Sequence, residues 1–383
     1  MKTLLKFAVG TGLALGLTAS FAPLAGAQVL GSHDQGGRDQ RVVYVQTDNA
    51  SGNQVVAYDR AQDGALTYAA TYATDGFGGA LNGAKVDFLA SQGSLNYDAA
   101  DGLLFAVNAA SNSISVFSVH HGGLSLRQVI GSGGTFPNSI TSSGNLVYVL
   151  NARSGGSVSG FRMFGDHLVA IPGSTRALGL TTPTDPTEFT HTPGQVAFTP
   201  DGSQLVVTTK ATTSAIDVYS VRWDGRLSLE PTVNVEAGAV PFAVAFDGAG
   251  HLVVADAGPN AVSTYRLHPD GTATSLSSVD TGQQATCWIA QAQGYFFASN
   301  AGSANLSALV IGRHGALSLL GGTTATDPGT VDAAATPDGQ YLYVQTGRNG
   351  IVDEFSVGSN GSLGPIGSVT VPGAVGGEGI VAI

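Results

Sequence analysis

The chain has 383 residues, of which 43% are hydrophobic and only 11% are charged. This apolar content is too high for a disordered chain, so we expect a folded protein. The formal net charge is −11, and such an acidic surface repels phosphate backbones and anionic lipid head groups, which excludes nucleic acid and membrane partners. Cys287 is the only cysteine, so an internal disulfide is excluded as well.

The first 27 residues have the pattern of a secretory signal peptide. Lys2 and Lys6 precede an apolar run over residues 7–24, and Ala25-Gly26-Ala27 fits the small-residue cleavage rule. A membrane anchor is the alternative, but the run is short and ends at a cleavage site. Loss of the two lysines leaves 14 basic against 27 acidic side chains, a balance of −13. We therefore expect a secreted, extracellular protein whose residues 28–41 form a flexible tail.

A repeated unit fills residues 42–383. Each copy has a Gly-containing turn, a strand, a short polar loop, a second strand and another Gly turn, and seven copies can be recognised. Six turn glycines are spaced 42, 58, 48, 44 and 45 residues apart: Gly102, Gly144, Gly202, Gly250, Gly294 and Gly339. A period in the forties with about four short strands per unit is typical of a β-propeller blade. The sequence therefore predicts an all-β fold, a single seven-bladed β-propeller.

The two ends of the repeat region are incomplete in complementary ways. The first unit opens on its second strand at Val42, and the chain ends with an unassigned strand over residues 378–383. We predict that this C-terminal strand becomes the innermost strand of the first blade and closes the ring, because that pairing removes two sheet edges.

Two insertions interrupt the repeat, each between the outermost strand of one blade and the innermost strand of the next. They run from Thr74 to Gln92 and from Ser174 to Pro193. Loops of this length in a compact domain more often have a function than serve only as connections. The repeat assigns both insertions to one rim of the ring, which we call the top, but it leaves open whether the first covers the mouth or packs outside it.

The repeat also assigns the polar residues to rims. Six of the eight histidines flank turns at the opposite rim, called the bottom, and His33 lies in the N-terminal tail, which leaves His191 at the top. The polar residues assigned to strand ends at the top include Asp87, Asn108, Asn151, Asp256, Asn300, Asp332 and Glu378. Asn and Asp at the ends of second strands also form tight turns. We therefore favour a structural role for Asn108, Asn151, Asp256 and Asn300.

Seven side chains at the top form our candidate site. His191 and Glu188 are the candidate catalytic residues, because a carboxylate near an imidazole can act with it as a general base. The candidate substrate-binding residues are Arg153, Lys210, Arg348, Asn151 and Gln195. Arginine and lysine can hold a substrate carboxylate or an oxyanion. We predict no cofactor and no metal, since one histidine cannot build a His-rich metal site, although Ca²⁺ held by carbonyls and carboxylates stays open.

Several motifs point to a known family. They are Phe-Thr-Pro-Asp-Gly at 198–202, VLNARSGGSVSGF at 149–161 and the repeated Asp-Gly and Gly-x-Leu-Ser turns. With these motifs the chain resembles the seven-bladed lactonase-like propellers, which include propeller-type 6-phosphogluconolactonases and carboxy-muconate cyclases. The resemblance spans residues 42–383 and implies the propeller fold together with a lactonase-like hydrolase or a cycloisomerase-type enzyme.

The chain departs from this family at the histidines that the resemblance implies. A Pro-His-x-His run is expected just before the Phe-x-Pro-Asp-Gly turn, but Thr192 and Gly194 occupy the two histidine places and His191 lies one position early. Two hypotheses therefore stay open. The first is hydrolysis of a lactone or related cyclic ester at the top mouth of the propeller. The second is a non-catalytic extracellular propeller that binds a small molecule, a polymer or another protein there. We expect a monomer in either case.

Overall fold

The computed structural model describes residues 41–383, so the predicted signal peptide and nearly all of the predicted tail lie outside the described residues. The described chain forms seven antiparallel sheets, the blades, each built from four strands that follow one another outward. Blade 3 has a fifth short strand, Arg176–Ala177. It pairs with the third strand of the blade, Ser157–Phe164, next to the outermost strand. The predicted all-β, seven-bladed propeller is confirmed.

From the innermost strand to the outermost, blade 1 contains Ile380–Ala382, Val42–Gln46, Gln54–Arg60 and Leu66–Ala73. In the same order, blade 2 contains Leu95–Asp98, Leu103–Asn108, Ser113–His120 and Gly123–Gly131. Blade 3 contains Pro137–Ser143, Leu146–Asn151, Ser157–Phe164 and His167–Ala170, and blade 4 contains Val196–Phe198, Gln204–Thr208, Ala215–Ser220 and Thr232–Val235. Blade 5 contains Pro241–Phe246, Leu252–Asp256, Ala261–Leu267 and Ala273–Asp280.

The last two blades follow the same order. Blade 6 contains Thr286–Ala292, Tyr295–Asn300, Asn305–Ile311 and Leu317–Ala325, and blade 7 contains Thr330–Ala335, Tyr341–Thr346, Ile351–Val357 and Leu363–Thr370. The helical elements of the described chain are single turns: Glu188–His191, Lys210–Thr213 and the 3₁₀ turn Arg313–Gly315. No helix within residues 41–383 is long and apolar enough to cross a membrane.

The C-terminal strand closes the ring as predicted. Ile380–Ala382 lies antiparallel to Val42–Gln46, with Val45 opposite Ile380 and Val43 opposite Ala382. The backbone N–H of Ile383 also donates to the carbonyl of Val42 at 2.9 Å. The first and last segments of the propeller therefore share one sheet, which leaves neither with an open inner edge.

The core lies between the faces of neighbouring blades. Tyr44 of blade 1 packs with Leu104 and Phe117 of blade 2, and Tyr148 of blade 3 meets Phe198 of blade 4 edge to face. Second strands are covered on both faces and read as continuous apolar runs, whereas the outermost strands are mostly exposed or half-buried. This pattern explains why the repeat was visible in the sequence.

The Thr-Pro-Asp-Gly turn is part of the scaffold. In blade 4, Thr199 donates its hydroxyl to the Asp201 carboxylate at 2.7 Å, and Gly202 has a φ of 69° that a side chain would strain. Blade 7 repeats the turn at residues 336–339 with Gly339 at a φ of 68°. The turn following His191 therefore has a structural role and is separate from any chemistry at the top.

Candidate functional site

The first insertion covers the top of the ring axis. Its Ser91 carbonyl accepts from the Trp288 indole of blade 6 at 2.7 Å, and its Phe88 N–H donates to the Gly376 carbonyl beside blade 1 at 2.8 Å. At blade 7, a Cβ built on Gly347 would lie 1.6 Å from the Val86 carbonyl oxygen. These contacts lie on three consecutive blades, and on the other side of the ring the Ser91 hydroxyl donates to the Asn138 carbonyl of blade 3 at 2.7 Å. The Thr74–Gln92 insertion therefore closes the axial mouth.

Gln92 seals this cover against blade 6. Its side-chain amide donates to the Ile289 carbonyl at 3.0 Å and accepts from the Ile289 N–H at 3.0 Å. We expect Gln92→Ala to destabilise the fold by about 2 kcal/mol, because both backbone groups lose their partner. Chemical denaturation measures this, with the exposed Gln62→Ala as the control that leaves the midpoint unchanged. An unchanged midpoint for Gln92→Ala contradicts the seal.

The buried side chain of Lys210 binds both insertions through hydrogen bonds. The ammonium group donates to the Ala90 carbonyl at 2.6 Å in the first insertion, and to the Phe189 carbonyl at 2.6 Å and the Thr192 hydroxyl at 3.0 Å in the second. The Lys210 side chain is fully buried. Burial lowers its pKa to about 7, against the opposing attraction of Asp87. Lys210 is a predicted substrate-binding residue, but its ammonium group makes its hydrogen bonds within the protein.

Three buried carboxyl groups, those of Asp48, Asp332 and Glu378, lie near the buried Asp87 carboxyl of the cover. Burial raises the pKa of Asp48 to about 8, that of Asp332 to about 7 and that of Asp87 to about 6, and it raises the pKa of Glu378 well above the ordinary value. The Asp87 carboxylate accepts from the backbone N–H groups of residues 89, 90 and 91 at 2.9 Å each. Within residues 41–383 no group of three or more His, Cys, Asp or Glu side chains is placed to hold a metal.

An open cavity of about 690 Å³ lies beside the covered mouth, between blade 3 and the second insertion. Arg153, a predicted substrate-binding residue, and Glu188, a predicted catalytic residue, both form its wall. The other lining residues are Asn82, Thr135, Ser154, Gly155, Leu180, Thr181, Thr182, Pro183 and Thr184. The wall is therefore rich in hydroxyl groups around one guanidinium and one carboxylate.

Arg153 and Glu188 form a two-point ion pair. The Arg153 Nε donates to Glu188 Oε1 at 2.7 Å and its Nη2 donates to Oε2 at 2.9 Å, while the Asn82 N–H donates to Oε2 at 2.7 Å. Burial alone would raise the pKa of the Glu188 carboxyl, but these hydrogen bonds outweigh it and hold that pKa below its usual range. The Arg153 side chain also stacks 4.4 Å from the Phe136 ring centre and is 35% exposed.

The remaining predicted site residues do not line this cavity. His191 is half-buried, and its Nδ1 lies 2.9 Å from both the Thr187 carbonyl and the Thr190 hydroxyl, a contact within its own helical turn. Gln195 accepts from the Val244 N–H at 2.6 Å and so joins blades 4 and 5. Asn151 is fully buried. Arg348 is exposed in a loop of blade 7.

Several lining residues were not selected from the sequence. Asn82 and Thr135 come from the first insertion and from the approach to blade 3, and the Thr182 hydroxyl is buried without a partner among residues 41–383. The run of threonines at 181–184 was the available signal, because clustered hydroxyls in a long loop suit a polar ligand. Cys287, by contrast, is half-buried, and burial raises its pKa to about 12, which disfavours the reactive thiolate.

Comparisons with known proteins agree with this architecture. Residues 30–164 match the family model described as "Lactonase, 7-bladed beta-propeller". No curated protein sequence matches the chain. A structure from Bacteroides uniformis, provisionally named a 6-phosphogluconolactonase, is 18% identical and matches with a TM-score of 0.73 over 90% of this chain and 100% of that one.

Two further structures match in the same way. A protein from Bacteroides fragilis with the same provisional name is 19% identical, with a TM-score of 0.71 over 91% of this chain and 100% of that one. The periplasmic gluconolactonase of Pseudomonas aeruginosa is 16% identical, with a TM-score of 0.67 over 90% and 99%. At these identities the matches show the fold. Together with the family model, they confirm that the chain resembles the seven-bladed lactonase-like propellers.

Proposed function

We propose that this protein hydrolyses a lactone or related cyclic ester in the cavity that Arg153 and Glu188 share. The observation that carries the proposal is the meeting of these two side chains on the wall of an open, hydroxyl-rich cavity, after the axial mouth has been closed by the chain itself. The resemblance to lactonase-like propellers supports the reaction class. The leader pattern of residues 1–27 supports action outside the cytoplasm.

The proposed step needs one donor and one base. Among the hydrogen bonds of residues 41–383 none uses Arg153 Nη1, so this atom is available to donate to the carbonyl oxygen of the ester as negative charge develops there. Glu188 accepts a proton from the attacking water. The ring C–O bond then breaks, and the proton passes to the departing oxygen, which gives a hydroxy acid.

The pKa of Glu188 sets the expected pH profile. Because the Arg153 pair and the Asn82 N–H hold this pKa below the usual glutamate range, the carboxylate is ionised throughout neutral pH. Ionisation of Glu188 should therefore leave kcat constant from about pH 5 upward. Turnover should fall only below about pH 4, where glutamate carboxyls protonate.

The test is turnover on a panel of simple and sugar-derived lactones, followed by acid release at constant pH. Glu188→Gln keeps the size of the side chain but removes the base and one of its two acceptor oxygens, so we expect at least a roughly hundredfold loss of kcat. Glu230→Gln, an exposed glutamate on blade 4, is the matched control and should leave kcat unchanged. If the folded protein opens none of the lactones, or if Glu188→Gln retains full activity, hydrolysis in this cavity is ruled out.

Binding without catalysis is the second candidate, and one observation favours it. Both carboxylate oxygens of Glu188 are already engaged by Arg153 and Asn82, and His191 lies outside the cavity wall. A pure binder would be stabilised against heat by hydroxy acids or lactones without turning them over. Arg153→Met would then abolish the stabilisation, while Glu188→Gln would have no rate to change.

A further inference from the structure

The outer parts of blades 3 and 4 carry half of the exposed large apolar side chains. Within residues 41–383 twelve such side chains are exposed, and six of them belong to these two of the seven blades. They are Phe164, Val169, Trp223, Leu229, Val233 and Val235. We call this set the blade 3–4 patch. None of its members lines the Arg153 cavity, so the patch is independent of the proposed hydrolysis.

The strand register places the blade 3 members of the patch on the side that faces blade 4. Arg162 lies opposite Val169, and Phe164 follows two residues after Arg162, so these three side chains share one face of the sheet. The Arg162 Nη2 atom donates to the Asp224 carbonyl of blade 4 at 3.1 Å, which identifies the direction of that face. The turn that contains Asp224 also carries Trp223, which is 95% exposed.

The outermost strand of blade 4 contributes to the same junction from the other side. The side-chain amide of Asn234 donates to the Gly271 carbonyl of blade 5 at 3.0 Å, so Asn234 points towards blade 5. Side chains alternate along a strand, and the neighbours Val233 and Val235 therefore point towards blade 3. The patch thus spans both sides of one junction between blades.

The repeat shows that the blade architecture does not require an apolar side chain at the place of Phe164. This place lies next to the turn between the third and outermost strands. In five other blades the strand registers put a polar residue or a glycine there: His120, Arg222, His268, Gly312 and Gly358. A large apolar patch on a soluble protein marks an interaction surface.

The patch has the area and the composition of a protein interface. Its six side chains expose apolar surface on the order of 600 Å², the upper end for the largest patch on a typical monomer. A stable complex buries about 800 Å² on each partner, which the patch approaches once its polar rim is added. Interfaces are enriched in aromatic residues and arginine and depleted in lysine. Neither lysine of residues 41–383, Lys85 or Lys210, belongs to the patch.

The two ends of the patch carry opposite charge. At the bottom end three arginines outnumber two acids: Arg162, Arg222, Arg226, Asp224 and Glu230. Arg222 and Arg226 are 51% and 41% exposed and share the single carboxylate of Asp224. At the top end, Glu236 follows directly after the outermost strand of blade 4. A two-fold axis perpendicular to the strands brings the bottom end of one copy against the top end of another. The patch is therefore electrostatically complementary to itself.

We propose that the blade 3–4 patch is the interface of a two-fold symmetric dimer of this chain. In this dimer Trp223 and Phe164 are buried against the second copy, and Arg222 lies near the second copy's Glu236. Self-complementary charge and an area close to that of a standard interface are what an isologous contact requires. The proposal replaces the monomer that we expected from the sequence alone.

Sedimentation equilibrium of the purified protein tests the proposal. As the protein concentration rises through the micromolar range, we expect the mass to approach that of two chains. Trp223→Ala should weaken the dimer at least tenfold, because buried tryptophans contribute much of the binding energy of an interface. Val233→Lys should act in the same direction. Both positions are exposed, so the circular dichroism spectra of the variants should match wild type. Phe77→Ala is the matched control, since Phe77 is 52% exposed but lies outside the patch, and it should leave the dimer unchanged.

A charge exchange tests the two-fold arrangement itself. Arg222→Glu should weaken the dimer, and the addition of Glu236→Arg to the same chain should restore it, because the two positions meet across the axis. No recovery in the double variant would overturn this arrangement. A dimer that Trp223→Ala leaves unchanged would overturn the patch as the interface. A monomer at every concentration would overturn the proposal as a whole and leave a different protein or a polymer as the occupant of this surface.

Discussion

Lys210→Met is expected to lower the free energy of unfolding by about 4 kcal/mol, since removing one member of a buried, charged hydrogen-bonded group leaves its partners uncompensated. The Ala90 and Phe189 carbonyls and the Thr192 hydroxyl would each lose a donor, and Asp87 would lose its nearest opposing charge. Because the two carbonyls belong to different insertions, the loss should loosen both. Methionine keeps most of the apolar length of the side chain, so the effect isolates the ammonium group.

Lys85→Met is the matched control for this experiment. Lys85 lies in the first insertion, which Lys210 contacts, but it is exposed, so its substitution should change stability by less than about 0.5 kcal/mol. Denaturant unfolding of both variants gives the comparison, with limited proteolysis to detect loosened insertions. Equal stability of wild type and Lys210→Met would contradict the view that Lys210 fastens the cover.

The second large effect is expected in the pH dependence of stability. Asp48, Asp332 and Asp87 have raised pKa values of about 8, 7 and 6 in the fold. The folded protein therefore holds protons that the unfolded chain releases near pH 4, so stability falls as pH rises through these values. Between about pH 5 and pH 7 the free energy of unfolding should fall on the order of 6 kcal/mol. Above pH 7 the lowered pKa of Lys210 acts in the opposite direction and should flatten the decline.

Asp48→Asn should reduce this decline by roughly 3 kcal/mol, because one group no longer has to ionise. The backbone of Asp48 has a φ of 52°, a left-handed conformation that asparagine tolerates. Asp75→Asn is the control, since Asp75 shares this conformation with a φ of 56° but is exposed. Denaturant unfolding at the two pH values measures the slope. A protein more stable at pH 7 than at pH 5 would show that these acids are ionised in the fold.

The propeller could be predicted because its signals are local and repeated. Each turn glycine and each apolar second strand recurs at a similar spacing, and the missing strand at Val42 matches the spare strand at the C-terminus. The path of the first insertion could not be predicted in this way. Its position depends on contacts such as Gln92 with Ile289, which lie 197 residues apart in the chain, and no periodic pattern encodes them.

The candidate site was predicted in part for the same reason. The repeat placed Arg153, Glu188 and Lys210 on one rim, but rim position does not distinguish an exposed side chain from a buried one. The ion pair between Arg153 and Glu188 and the burial of Lys210 both follow from how the insertions fold over the rim. Asp256 was assigned a turn-forming role because Asn and Asp at strand ends form tight turns, but in the fold its Oδ2 accepts from the Ser263 hydroxyl at 2.5 Å.

The proposal that the cavity beside blade 3 is the active site is tested most directly by a crystal structure with a hydrolysis product, D-gluconate, bound. We predict that the carboxylate of this hydroxy acid lies within hydrogen-bond distance of the Arg153 guanidinium, with its hydroxyl groups against Asn82 and the threonines of residues 181–184. Gluconate bound at the bottom rim or under the Thr74–Gln92 cover, with the Arg153 cavity empty, would contradict this account.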